Sequence, residues 1–153
     1  MNDSDIIVLQ PATNGTIHVN YSTIKSSKTL VDLIEDAGID HPVPVPNVEH
    51  AIMIKIIEFL KGINDSTVTL NDVEPFDKDL FCDNMDITMV FDLIRVSNYL
   101  DIQTLLDVTT TKVAKIIKGK SVYEICKTFN IENNFTDEER EEARKANEWC
   151  EER

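Results

Sequence analysis

Apolar positions across residues 86–119 form the pattern around which the rest of the chain is arranged. In its first half Ile87, Met89, Val90, Phe91, Leu93, Ile94 and Val96 leave only a thin polar stripe at Thr88, Asp92 and Arg95. A helix apolar on nearly all sides must be enclosed by the rest of its domain or by a partner. In the second half Ile102, Leu105, Leu106, Val113, Ile116 and Ile117 fill one face of a 3.6-residue period, with Thr109 the exception on that face. Asp101 is the expected N-cap and Gly119 the expected stop, and Lys112, Lys115 and Lys118 suit the negative end of a helix dipole. The pattern predicts a buried helix, a turn at 99–101 and an amphipathic helix, with other elements packed around the pair.

Before this pair, Ile6, Ile7, Val8 and Leu9 predict a short strand, Asn14-Gly15 a turn, and the alternating Ile17, Val19 and Tyr21 a second strand. The two form a hairpin whose loop exceeds two residues. Residues 26–38 predict a helix with Leu30, Leu33, Ile34 and Ala37 on one face and Gly38 as its stop. The prolines of 41–47 remove backbone donors at alternate positions, which predicts an edge strand. Asn47 is then the expected cap of a helix that buries Ile52, Ile56, Phe59 and Leu60 and ends at Gly62. The polar stretch 64–75 predicts a mobile loop, and 76–82 a short helix. After Gly119, Ser121-x-x-Glu124 is a capping box for a helix bearing Val122, Ile125, Cys126 and Phe129. Thr136-x-x-Glu139 is a second box, opening a helix through Glu152 whose only apolar residues are Ala143, Ala146, Trp149 and Cys150. The order is that of an α+β domain with a helical tail.

The 153 residues suffice for one domain, or one domain with an appendage. With 28 acidic against 15 basic residues the formal charge is −13, which argues against nucleic acid or an anionic membrane as partner. A basic protein partner is compatible with that charge. Cys82, Cys126 and Cys150 are odd in number and form no C-x-x-C pair, so three reduced thiols in the cytoplasm or nucleus are expected. The N-terminal MNDSD lacks the features of a signal peptide, and no apolar run approaches the ~20 residues that span a bilayer. A soluble, intracellular chain is the expectation.

Chemistry is sparse. His18, His41 and His50 have no metal-ligand spacing, no glycine-rich phosphate loop or calcium loop exists, and each cysteine lacks the basic surroundings of a nucleophile. No cofactor, no metal and no enzymatic activity are expected. What remains is surface. Trp149 either folds back on the chain's own helices or rims a partner groove with Phe129, Ile131 and Phe135. Asn98 and Tyr99 form either an ordinary helix end or a partner contact, since Tyr combines apolar area with a polar tip.

Several segments, in order, carry a family resemblance. They are Val43-Pro-Val-Pro-Asn-Val48, Ser97-Asn-Tyr-Leu-Asp-Ile102, Leu105-Leu-Asp-Val-Thr109 and Ile117-Lys-Gly-Lys120. Ile125-Cys-Lys-Thr-Phe-Asn-Ile131, Phe135-Thr-x-Glu-Glu139 and Asn147-Glu-Trp-Cys-Glu-Glu152 follow. Together they resemble the S-phase kinase-associated protein one family, the adaptor subunit of SCF ubiquitin ligases, over nearly the whole chain. The resemblance implies a BTB/POZ domain over 1–118 and a helical extension over 119–153 that holds F-box proteins. It implies a non-catalytic adaptor that bridges a cullin to F-box substrate receptors. By position, Asn98 and Tyr99 fall where the family contacts the cullin, with the helix around Phe81 bordering that surface. Leu106, Val113, Ile117, Phe129, Ile131, Phe135 and Trp149 fall where it contacts the F-box. The chain departs from the family in lacking a long acidic insert within 64–75 and in having Phe76 where Trp is usual. An elongin C-like adaptor is the competing reading in the same class, and a homodimeric BTB scaffold the one in another; the helices predicted after Gly119 lie beyond the point where elongin C ends.

Overall fold

The apolar run of the first strand is realised as β1 (Ile6–Pro11), which buries Ile7, Leu9 and Pro11. The computed structural model describes residues 2–13, 15–39, 41–65, 77, 81–132 and 136–147. β2 (Ile17–Asn20) runs antiparallel to β1, with Ile7 opposite Val19 and Leu9 opposite Ile17. β3 (Val43–Val45) pairs parallel on the other side of β1, with Leu9 opposite Val43. The sheet order β2-β1-β3 leaves the proline-bearing strand at an edge, as its missing donors require. Val43 and Val45 point into the same core as Ile7 and Leu9.

Between β2 and β3 the chain forms α1 (Tyr21–Ile24) and α2 (Lys28–Ala37). The short α1 replaces the expected end of the second strand at Tyr21. α2 begins two residues later than the sequence pattern suggests, because the Ser27 hydroxyl caps it by accepting from the Leu30 N–H at 3.3 Å. Leu30 and Ile34 are buried as expected, whereas Ala37 is exposed. Gly38 ends the helix at a φ of 78°.

α3 (His50–Asp65) differs from expectation at both ends. Asn47 does not cap it; the His50 N–H donates to the Thr13 hydroxyl at 3.0 Å, a cap supplied from the β1–β2 connection. The helix also runs through Gly62. Ile63 packs against the core, and Asn64 donates from Nδ2 to the Ser22 carbonyl at 3.1 Å. Those contacts outweigh the roughly 1 kcal/mol that glycine costs inside a helix. Asn64 is therefore part of α3, and residues 66–75 of the expected loop lie outside the described residues. So do residues 76 and 78–80 of the expected short helix; residues 81–84 form a turn.

α4 (Ile87–Tyr99) and α5 (Gln103–Ile117) are the helix pair expected from the sequence. α4 is capped by the Asp86 carboxylate and buries Val90, Leu93, Val96 and Ser97. α5 buries Leu105, Val108 and Thr109. The apparent exception on its apolar face is satisfied locally, since the Thr109 hydroxyl donates to the Leu105 carbonyl at 2.8 Å. The chain divides into two compact units, Met1–Ile116 and Ile117–Arg153. The second contains α6 (Val122–Phe129) and α7 (Asp137–Ala146). Both capping boxes predicted from the sequence are formed.

Candidate functional site

The exposed positions of α4 are Thr88, Phe91, Arg95, Asn98 and Tyr99, which recur every three or four residues and so lie along one flank of the helix. Phe91 is 43% and Tyr99 37% exposed, large aromatic areas for a surface helix. The polar stripe expected at Thr88, Asp92 and Arg95 runs through this flank, held by an Arg95–Asp92 ion pair at 3.0 Å. The helix is thus enclosed on one side by the core and left open on the other. Phe91, which the sequence pattern counts among the residues to be enclosed by the domain or by a partner, belongs to the open side.

The end of α4 presents Asn98 and Tyr99, and its geometry is fully accounted for. The Ile102 N–H reaches back to the Ser97 carbonyl at 2.9 Å and the Asp101 N–H to the Asn98 carbonyl at 3.3 Å. Asp101 sits between them at a φ of 53°, a left-handed cap. It is therefore the last link of α4 and not the N-cap of α5, whose first bonded carbonyl is that of Ile102. The two remaining carbonyls are taken by hydroxyls at the start of α2. Thr29 Oγ1 donates to Tyr99 at 3.1 Å, and Ser27 Oγ donates to Leu100 at 2.5 Å. The positive end of α2 thereby abuts the negative end of α4.

Phe81 is half-buried. Its ring meets that of Phe59 in α3 with centroids 5.0 Å apart and tilted by 58°. The neighbouring Cys82 is a fully buried free thiol, and burial pushes its pKa up while Lys112 opposes the rise. Lys112 pairs with Asp83 at 2.6 Å, which ties the 81–84 turn to α5. Its charge is therefore spent on Asp83 and not on the helix end.

Along α5 the burial changes. Leu106 and Val113 are half-buried and Ile117 is exposed, so the apolar face opens toward solvent at its C-terminal half. In the second unit no described residue is buried. Val122 and Tyr123 are 67% and 69% exposed and Ile131 56%, while Ile125, Cys126 and Phe129 are half-buried. Cys126 is thus not a core residue. Val122 and Tyr123, the first two residues of α6, are apolar surface that sequence reasoning did not assign to a site. Phe135, Trp149 and Cys150 lie outside the described residues, and α7 ends at Ala146 with Asn147 as its C-cap, earlier than the expected end at Glu152.

Electrostatics hold the second unit's helices at their starts. The Glu124 carboxyl is pulled below its ordinary range by the Ser121 backbone N–H, then by the Ser121 hydroxyl. Glu139 is lowered likewise by the backbone N–H and hydroxyl of Thr136. A depressed carboxylate contributes stability above its unfolded pKa of about 4.3, lost as pH falls through the lower folded value. Far-ultraviolet circular dichroism should show helix loss below about pH 4 that is diminished in a Glu124→Ala/Glu139→Ala variant, which should already have less helix at neutral pH. An unchanged acid profile in that variant would refute this role.

Among the described residues no cluster of three metal-ligating side chains exists, and no helix is long and apolar enough to cross a membrane. Two models of one family match the sequence: the Skp1 family tetramerisation domain over residues 5–65 and the Skp1 family dimerisation domain over residues 103–150. The chain is 38% identical to the SCF ubiquitin ligase complex protein SKP1a of Dictyostelium discoideum, over 97% of both chains. This chain belongs to the Skp1 family. Its identity to SKP1b of the same organism is also 38%, again over 97% of each chain. With the S-phase kinase-associated protein 1 homolog of Tetrahymena thermophila it shares 40% over 91% of this chain and 90% of that one. Residues 5–65 accordingly belong to a BTB/POZ-like domain, and the sheet with its surrounding helices is the α+β architecture expected.

Proposed function

We infer that this chain is the adaptor of an SCF ubiquitin ligase, joining a cullin to F-box substrate receptors without itself making or breaking a bond. The reading is carried by two surfaces with exposed large apolar side chains, the open flank of α4 and the unburied second unit, in a member of a family whose relatives are named as SCF ubiquitin ligase complex proteins. The BTB/POZ-like domain, 1–118, takes the cullin through Asn98 and Tyr99, with Phe81 supporting the border of that surface. The extension, 119–153, together with the opening face of α5, takes the F-box through Leu106, Val113, Ile117, Phe129, Ile131, Phe135 and Trp149. Catalysis then comes from effective concentration, because the receptor's substrate is held near the enzyme carried by the cullin. Free thiols at Cys82 and Cys126 fit the reducing cytoplasm and nucleus, where such a ligase would act.

The test is an Asn98→Lys/Tyr99→Lys variant. Two long, charged side chains placed on a surface that must be desolvated should weaken cullin binding by at least about 100-fold. F-box binding should be retained. Wild-type cullin affinity in this variant would remove the α4 flank from the reading.

A further inference from the structure

Apart from the two proposed surfaces, the start of α2 meets the end of α4 through two hydroxyls. Every carbonyl from Val96 to Leu100 has a donor: Leu100, Ile102 and Asp101 N–H groups for the first three, and the Thr29 and Ser27 hydroxyls for the last two. The three backbone bonds close the turn internally and would form in any helix ending this way. The two hydroxyl bonds are different, because they fasten the turn to a helix about 70 residues earlier in the chain. They also divide the work. Ser27 is fully buried and caps α2 at the same time. Thr29 is the second residue of α2, is only half-buried, and holds the carbonyl of Tyr99 itself.

We propose that Thr29 is a positioning residue for the cullin-facing surface, fixing the backbone of Tyr99 so that the Asn98 and Tyr99 side chains stand ready for a partner. This rests on the reading of the α4 flank as the cullin surface. Asn98 and Tyr99 are the last two residues of α4, where a helix ordinarily frays. Asp101 adds to that tendency, since its left-handed backbone is one that a side-chain-bearing residue adopts at a cost. An external donor on the Tyr99 carbonyl opposes fraying at the residue that bears the exposed ring. Binding to an ordered surface avoids the entropy of ordering it during association.

The experiment compares Thr29→Val, which keeps the branched shape and removes the donor, with Thr29→Ser, which keeps the donor. Affinities for a cullin and for an F-box protein are measured on the full chain, together with the melting temperature. Thr29→Val is expected to bind cullin about tenfold more weakly, the scale of one lost hydrogen bond. F-box affinity and melting temperature should stay near wild type, and Thr29→Ser should restore cullin binding. Wild-type cullin affinity in Thr29→Val, alongside loss in Asn98→Lys/Tyr99→Lys, would overturn the positioning role and leave the surface intact. Retained affinity in both would overturn the surface and the positioning role together. A parallel fall in both affinities and in melting temperature would make Thr29 merely structural and overturn the proposal.

Discussion

Replacing Ser27 by alanine is expected to destabilise the BTB/POZ-like domain by about 3 kcal/mol, a fall of roughly 10 °C in melting temperature. One hydroxyl serves two helix ends there: it accepts from the Leu30 N–H to cap α2 and donates to the Leu100 carbonyl at the close of α4. Losing an N-cap costs about 1 kcal/mol. A buried carbonyl left without its donor costs a further 1–3 kcal/mol or so, and Ser27 and Leu100 are both fully buried. Ser27→Asp separates the two effects. Aspartate caps a helix as well as serine does but, ionised, has no proton to donate and would face the Leu100 carbonyl. If the donor bond matters, Ser27→Asp should be at least as destabilised as Ser27→Ala in chemical denaturation. Recovery of wild-type stability by Ser27→Asp would mean that capping alone explains the site.

Truncation after Asn130 should abolish F-box binding while leaving the melting temperature nearly unchanged. The helices of the second unit bury no described residue, so removing the part beyond Asn130 takes little from any core. α7 has ten residues, below the roughly 12–15 under which an isolated helix is marginal in water. Its own support is modest: the Thr136–Glu139 box and the exposed Arg140–Asp137 and Arg144–Glu141 pairs at 3.1 and 2.9 Å. Exposed pairs of this kind contribute little, because water solvates and screens both charges. The order of the extension must then be consolidated by what it binds. Its apolar residues would supply the gain, with a buried Trp worth on the order of 4 kcal/mol before the cost of ordering the segment. Trp149→Ala in the full chain should accordingly weaken the F-box complex more than it lowers the melting temperature. Collapse of the melting temperature on truncation, with F-box affinity intact in the folded fraction, would make the extension a structural part of the domain.

The sequence by itself determined features whose causes are local. The first strand at 6–9, the edge position of the proline-bearing strand, the stop at Gly38 and both capping boxes depend on residues a few positions apart. The family was legible for a related reason, since its motifs are short runs in order along the chain. Asn98 and Tyr99 are exposed at a helix end, as a partner contact requires. What only the tertiary structure decided is whatever depends on a distant residue. The start of α3 follows a hydroxyl 37 residues away, and its passage through Gly62 follows the packing of Ile63 and the bond from Asn64. Asp101 is legible as an N-cap from composition, but the turn bonds to Ser97 and Asn98 place it in the left-handed region. Periodicity could not say which side of the nearly all-apolar α4 meets the core. That was settled by where the other elements pack, and it left Phe91 outside because a helix can bury only the side that its neighbours cover.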